Sequence, residues 1–166
     1  MSAGHAIQSV TGGRHSTNFL FDGNYLIKMV EKYYIDASIW IDFYEDRKGF
    51  NNEPIGDYAH KLLSLIKARN DKIVVTDLLI RELESNYSIE EINGMFKSFE
   101  HLLDKIVTTT EQREEAKQVA LKRDIPKGDA LHAIIARDNK FILITRDNHF
   151  KQLQDISEFH KPEDLI

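Results

Sequence analysis

The chain has 166 residues, 42% of them hydrophobic, which is enough for one buried core, and its longest apolar runs, such as Phe141 to Ile144, are far too short to cross a bilayer. Cysteine is absent, which excludes disulfides, thiolate metal sites and cysteine nucleophiles; with no secretion-type leader in view, a cytoplasmic protein is expected. The 22 basic and 27 acidic side chains give a net charge of −5, so nucleic acid is within reach only if a metal, a local basic rim or a partner chain offsets the repulsion.

Residues 1 to 28 are rich in Gly, Ser, Thr and Asn and have little periodicity, and they read as an N-terminal extension of the kind added for expression. Within it, Phe19, Leu20 and Phe21 offer an apolar patch for docking. A domain is expected over residues 29 to 166. Tyr33-Tyr34-Ile35 predicts a short strand ending at Asp36, and Ser38 to Tyr44 a helix. Tyr58, Leu62, Leu65 and Ile66 recur at helical spacing, which predicts a helix over Asp57 to Arg69. Ile73-Val74-Val75 reads as a buried strand, after which Thr76 is placed to cap a helix carrying Leu79, Ile80 and Leu83.

Ser88 and Glu91 fit a capping box at the head of a helix bearing Ile92, Met95, Phe96, Phe99 and Leu103. A strand follows over Lys105 to Thr108. Thr109 and Gln112 form a second capping-box match, opening a helix to about Arg123. Pro126-Lys127-Gly128 breaks the chain, and Asp129 to Asp138 is helical. Phe141 to Ile144 is an apolar strand, a short helix follows Asp147, and a last strand lies near Glu158 to His160. Strands alternating with helices imply an α/β domain, a three-layer α/β/α arrangement around a mainly parallel sheet of four or five strands.

In such sheets ligands bind at the carboxyl ends of the strands, and four acids are delivered there. Asp36 ends the first strand, Glu82 lies on the helix after the second, Asp129 opens the helix before the apolar strand, and Asp147 follows that strand. Each acid has an ordinary alternative. Asp36 and Asp147 are placed to be N-caps, Asp129 gains from the helix dipole in a first turn, and Glu82 has Arg81 beside it on a solvated face. Jointly they suggest a catalytic, metal-binding cluster. Oxygen donors without cysteine favour Mg2+ or Mn2+ over zinc. Such ions, singly or as a pair about 4 Å apart, suit hydrolysis of a phosphodiester by water.

Four segments then carry a resemblance. Ile-Asp36-Ala-Ser38, Arg81-Glu82-Leu83, Gly-Asp129-Ala-Leu-His132-Ala and Ile-Thr145-Arg-Asp147 resemble, in order, the signature blocks of PIN-domain nucleases, and the likeness extends from Tyr33 to about Ile166. It is greatest to small single-domain members of the VapC type, toxin endoribonucleases of type II toxin-antitoxin pairs. The resemblance implies that Asp36, Glu82, Asp129 and Asp147 bind metal, that RNA is the substrate, and that an antitoxin partner and a homodimer exist. By the same resemblance Ser38 and Thr145 orient carboxylates or water, and His132 has a supporting role. Arg81, Lys127, Arg146 and His149 are candidates for phosphate contact, and Trp40 and Phe43 for core or base stacking. His149 stands where many relatives carry a further acid. Other readings are a metal-dependent DNA nuclease or phosphohydrolase, and a binding or assembly module that keeps the fold with little activity.

Overall fold

Tyr33-Tyr34-Ile35 and Ile142-Leu143-Ile144 are apolar on both faces, and both become inner strands of one sheet covered on each side by helices. The computed structural model describes residues 7–10, 17–22 and 25–166, in two units, 1–31 and 32–166. In the first unit β1 (Ile7–Val10), β2 (Thr17–Asp22) and β3 (Tyr25–Lys28) pair antiparallel in chain order. The sequence had suggested only an aperiodic stretch there. Short Gly/Ser/Asn-rich intervals between β-favouring residues hide the strands from a periodicity reading.

The second unit holds β4 (Lys32–Ile35), α1 (Ala37–Glu45), α2 (Ile55–Arg69), β5 (Lys72–Thr76), α3 (Asp77–Glu84), α4 (Ile89–Phe96), β6 (Leu103–Ile106), α5 (Thr110–Arg123), α6 (Lys127–Asn139), β7 (Ile142–Ile144) and β8 (Phe159–His160). The five strands β4 to β8 are all parallel, in the order β6-β5-β4-β7-β8. The chain therefore leaves β4 on one side to make β5 and β6, and returns on the other to make β7 and β8. That reversal opens the sheet at the carboxyl ends of β4 and β7.

Alternation along the strands separates two cores. Tyr33, Ile35, Ile73 and Val75 face a cluster with Trp40, Leu62, Leu63, Ile66 and Leu79. Tyr34, Val74 and Leu143 face the other, with Ala130, Ile134 and Phe150 from α6 and the turn after β7. Thr76 caps α3 through its side chain, and both capping boxes form, at Ser88/Glu91 and Thr109/Gln112. Among the described residues no helix is long and apolar enough to cross a membrane.

Several elements differ from expectation in their bounds or helix type. The helix beginning at Ile89 changes to a 3-10 helix over Lys97–Leu102, and Leu103 already belongs to β6, so that strand lies two residues earlier than its composition suggests. Phe99 and Leu102, three apart and both buried, match the tighter period of that turn. Thr108 is withdrawn from the strand because its N–H and hydroxyl both donate to Asp77. Helix α6 starts at Lys127, directly after Pro126, whose missing N–H costs nothing at a helix start. The segment after Asp147 is a 3-10 helix, Asn148–Leu153.

Leu62 is fully buried in the α2 face of the sheet, whereas Leu121 on α5 is 78% exposed. Leu62→Ala is expected to lower unfolding free energy by about 3 kcal/mol in urea titrations, and Leu121→Ala to change it by less than about 0.5 kcal/mol. Equal effects at the two positions would contradict this packing.

Candidate active site

Asp36 directly follows β4, and its main-chain N–H continues the ladder by donating to the Ile144 carbonyl at 2.9 Å. It occupies the N-cap position of α1, yet its side chain makes no capping bond. Its Oδ2 instead accepts from the hydroxyls of Ser38 (2.7 Å) and Thr145 (2.9 Å). The capping alternative is thereby removed. Two donors on one oxygen fix the carboxylate, which is only 13% exposed, with Oδ1 4.0 Å from His132 Nε2.

Glu82, in the second turn of α3, does not pair with Arg81. Both its oxygens face His132 Nε2, at 3.0 and 2.9 Å. His132, one turn into α6, is buried, and its Nδ1 lies 2.6 Å from the Tyr34 hydroxyl. That hydroxyl is 2.9 Å from Thr76 Oγ1, which accepts from Leu79 N–H. With Glu82 ionised, His132 donates Nε2–H to it; a neutral ring then accepts a hydrogen bond from Tyr34, which accepts one from Thr76, and a protonated ring reverses that order, Nδ1–H donating to Tyr34 and Tyr34 to Thr76. Burial opposes a charge on His132, but the Glu82 hydrogen bond and the charge of Asp36 outweigh it and raise its pKa. Burial also holds the Tyr34 phenol well above its usual range. Gly128 completes this side, because a Cβ there would come within 3.3 Å of Glu82 Oε1.

Asp129, in the first turn of α6, is 17% exposed and lies 3.0 Å from His149 Nδ1 through Oδ2. That oxygen is buried and accepts no aligned hydrogen bond. Burial first, then the neighbouring Asp147 charge, push its pKa up to about 6. Asp147 follows β7 and caps the turn, accepting from His149 N–H at 2.8 Å, so its capping role is real. It is also 3.1 Å from His149 Nδ1.

The acids thus fall into two groups, Asp36–Glu82–His132 and Asp129–Asp147–His149, each with its candidate ligand atoms within 4.8 Å of one another. The two groups face one another closely enough for the Asp36 charge to raise the pKa of Asp129. A divalent cation fits this donor set. The buried, undonated Oδ2 of Asp129 and the mutual repulsion of the acids are what such an ion would relieve.

The basic candidates behave differently from one another. Arg81 bonds to the carbonyl and carboxylate of Asp77. Arg146 turns away from the acids, pairing with buried Asp42 at 3.2 Å and with Glu163 at 2.7 Å. Lys127 makes no ion pair among the described residues. Together with Arg81, and with Arg113, which no local motif singles out and which pairs with Asp77 at 2.7 Å, it lines a cleft of about 200 Å³ beside Gly128. Trp40 is fully buried against Phe43, Phe96 and Phe99, so stacking on bases is closed to it. Tyr34, Thr76 and Gly128 also escaped notice as site residues. In sequence they look like strand, cap and breaker, and only the fold links Tyr34 and Thr76 to Glu82 through His132 and sets Gly128 beside it.

The PIN-domain family model matches residues 33–156. The chain belongs to the PIN-domain family. Among solved structures it is similar to VapBC2 from Rickettsia felis, determined bound to a DNA fragment from their promoter, with 18% identity and a TM-score of 0.57 over 78% of this chain and 98% of that one. It is also similar to PAE2754 from Pyrobaculum aerophilum, with 18% identity and a TM-score of 0.52 over 82% of this chain and 95% of that one. Comparison with curated protein sequences found no match.

A carboxyl whose folded pKa exceeds its free value favours the folded state when protonated. For Asp129 that contribution is fully present below about pH 4 and is lost as pH rises through about 6. In EDTA, Asp129→Asn is therefore expected to stabilise the fold at pH 7.5, by at most about 2–3 kcal/mol, with the gain shrinking toward pH 4. Urea titrations at both pH values measure it, and an unchanged midpoint at pH 7.5 would contradict the strained carboxylate.

Proposed function

We propose that this protein is a metal-dependent endoribonuclease that hydrolyses RNA phosphodiester bonds, with Asp36, Glu82, Asp129 and Asp147 holding Mg2+ or Mn2+. The observation that carries this reading is the concentration of four carboxylates, one with a buried undonated oxygen, at the point where the strand order reverses. A binding or assembly module has no need of such an arrangement, because uncompensated carboxylates cost stability and grip no polyanion.

When bound, dications would polarise a phosphoryl oxygen and lower the pKa of a nearby water. The chain's own groups prepare the place. Ser38 and Thr145 hold Asp36 by one oxygen and leave the other toward the centre. His132, backed by Tyr34 and Thr76, fixes the Glu82 carboxylate. The cleft beside Gly128, where Arg81 and Arg113 share the single carboxylate of Asp77 and Lys127 adds a further cation, supplies a local basic rim for the phosphates that flank the scissile bond. Arg146 serves instead to tie the segment after β7 to α1 and the C-terminal turn, through Asp42 and Glu163.

The fold shared with VapBC2, together with the four signature segments, supports a toxin of a type II pair restrained by an antitoxin. Homodimerisation belongs to the same reading. An antitoxin segment bearing Arg or Lys would suit the acidic centre. RNA is taken over DNA or a small phosphoester on the resemblance to VapC-type ribonucleases.

Asp36→Asn is expected to reduce cleavage of single-stranded RNA, in Mg2+ or Mn2+, by at least about a hundredfold while far-ultraviolet circular dichroism is unchanged. Parallel assays on single-stranded DNA and nucleotides identify the substrate. Full RNase activity in this variant would refute the assignment, and cleavage confined to DNA would move it to the other nuclease class.

A further inference from the structure

The outer group of ligands is not an all-oxygen set. His149 Nδ1 is 3.0 Å from Asp129 Oδ2 and 3.1 Å from Asp147 Oδ1. Adjacent ligands on an octahedral ion with bonds of about 2.1 Å lie roughly 3 Å apart. The nitrogen and each oxygen therefore already have the spacing of neighbouring vertices. The ring is also aimed. Its main-chain N–H donates to Asp147 Oδ1 at 2.8 Å, which anchors His149 at the head of the 3-10 turn between the two acids.

The two histidines of the site differ in what their nitrogens do. Both nitrogens of His132 are committed, one to Tyr34 and one to Glu82, in a buried network. His149 is about half exposed, and among the described residues its Nδ1 faces only the two carboxylates. Asp129 Oδ2, the oxygen nearest that nitrogen, is buried and has no hydrogen-bond donor. With its proton on Nε2, the imidazole has an Nδ1 lone pair to offer beside that of Asp129 Oδ2.

We propose that Asp129, Asp147 and His149 form a mixed oxygen–nitrogen centre, with His149 Nδ1 as a ligand, that takes a first-row transition dication such as Mn2+ in preference to Mg2+. The proposal rests on the metal-binding reading of the four acids given above. Magnesium is hard, holds its water and favours oxygen, whereas imidazole nitrogen suits the transition ions and its contribution grows along that series. His149 would thus be the residue that sets which ion this protein uses.

Calorimetric titration of metal-free protein with Mn2+ and separately with Mg2+ tests this, combined with electron spin-echo spectroscopy of the Mn2+-loaded protein. The expected result is tighter Mn2+ than Mg2+ binding in the wild type, with nitrogen modulation in the echo. His149→Ala should lose about tenfold in Mn2+ affinity with little change for Mg2+, and should lose the nitrogen signal. His149→Asp should narrow the gap between the two ions. Absence of nitrogen modulation in the wild type, or Mn2+ affinity unchanged or raised in His149→Ala, would make His149 a mere counter-ion and overturn the proposal. A nitrogen signal that survives in His149→Ala would assign the ligand to His132, with the same consequence. If ions bind and Asp129→Asn abolishes binding, such outcomes leave the metal-binding reading standing. If neither ion binds the wild type, or Asp129→Asn binds as well, that reading fails along with the proposal.

Discussion

Four carboxylates crowded at one edge of a sheet repel each other and resist burial, and much of the second unit is arranged around that repulsion. Asp36 accepts two hydroxyls, Glu82 receives an imidazole N–H from inside the core, and Asp129 and Asp147 share His149. Where compensation is incomplete, at Asp129, the cost appears as a carboxyl pushed up to about 6. Uncompensated charge of this kind is what a bound dication would relieve.

The topology makes the crowding possible. Because the order of connections reverses at β4, β7 lies against β4 on the side away from β5, and Asp36 N–H bonds to the carbonyl of Ile144. Residues 36 and 145 are far apart in sequence, yet Thr145 donates to Asp36. Helices α3 and α6 then bring Glu82 and His132 together, and Gly128 leaves room beside Glu82 Oε1 that a side chain there would crowd. The same contacts serve packing and the acid cluster: the Thr76 hydroxyl that caps α3 also bonds to Tyr34, in the network that backs Glu82 through His132.

The acidity of the chain looks at first like an argument against a polyanionic substrate. Charge distribution changes that. The acids at the centre attract cations, while Lys127, Arg81 and Arg113 border a small cleft beside them. Arg146, next to Asp147 in sequence, is withdrawn from the centre by buried Asp42, whose own pKa burial raises in spite of Arg146 and Arg47. Adjacency in sequence thus places Arg81 and Lys127 correctly at the cleft and misplaces Arg146.

Sequence alone determined the alternation of strands and helices, both capping boxes, the Thr76 cap and the four acids, because each of these depends on local periodicity or on residues three or four apart. It also carried the family resemblance, since the motif blocks are contiguous. Tertiary structure decided the rest. It showed that Asp36 does not cap its helix while Asp147 does, that His132 and Tyr34 support Glu82, that His149 stands between two acids, and that Trp40 lies in the core. Those outcomes depend on which distant element a side chain meets, and a strand order such as β6-β5-β4-β7-β8 is set by packing over the whole sheet, not by any local signal.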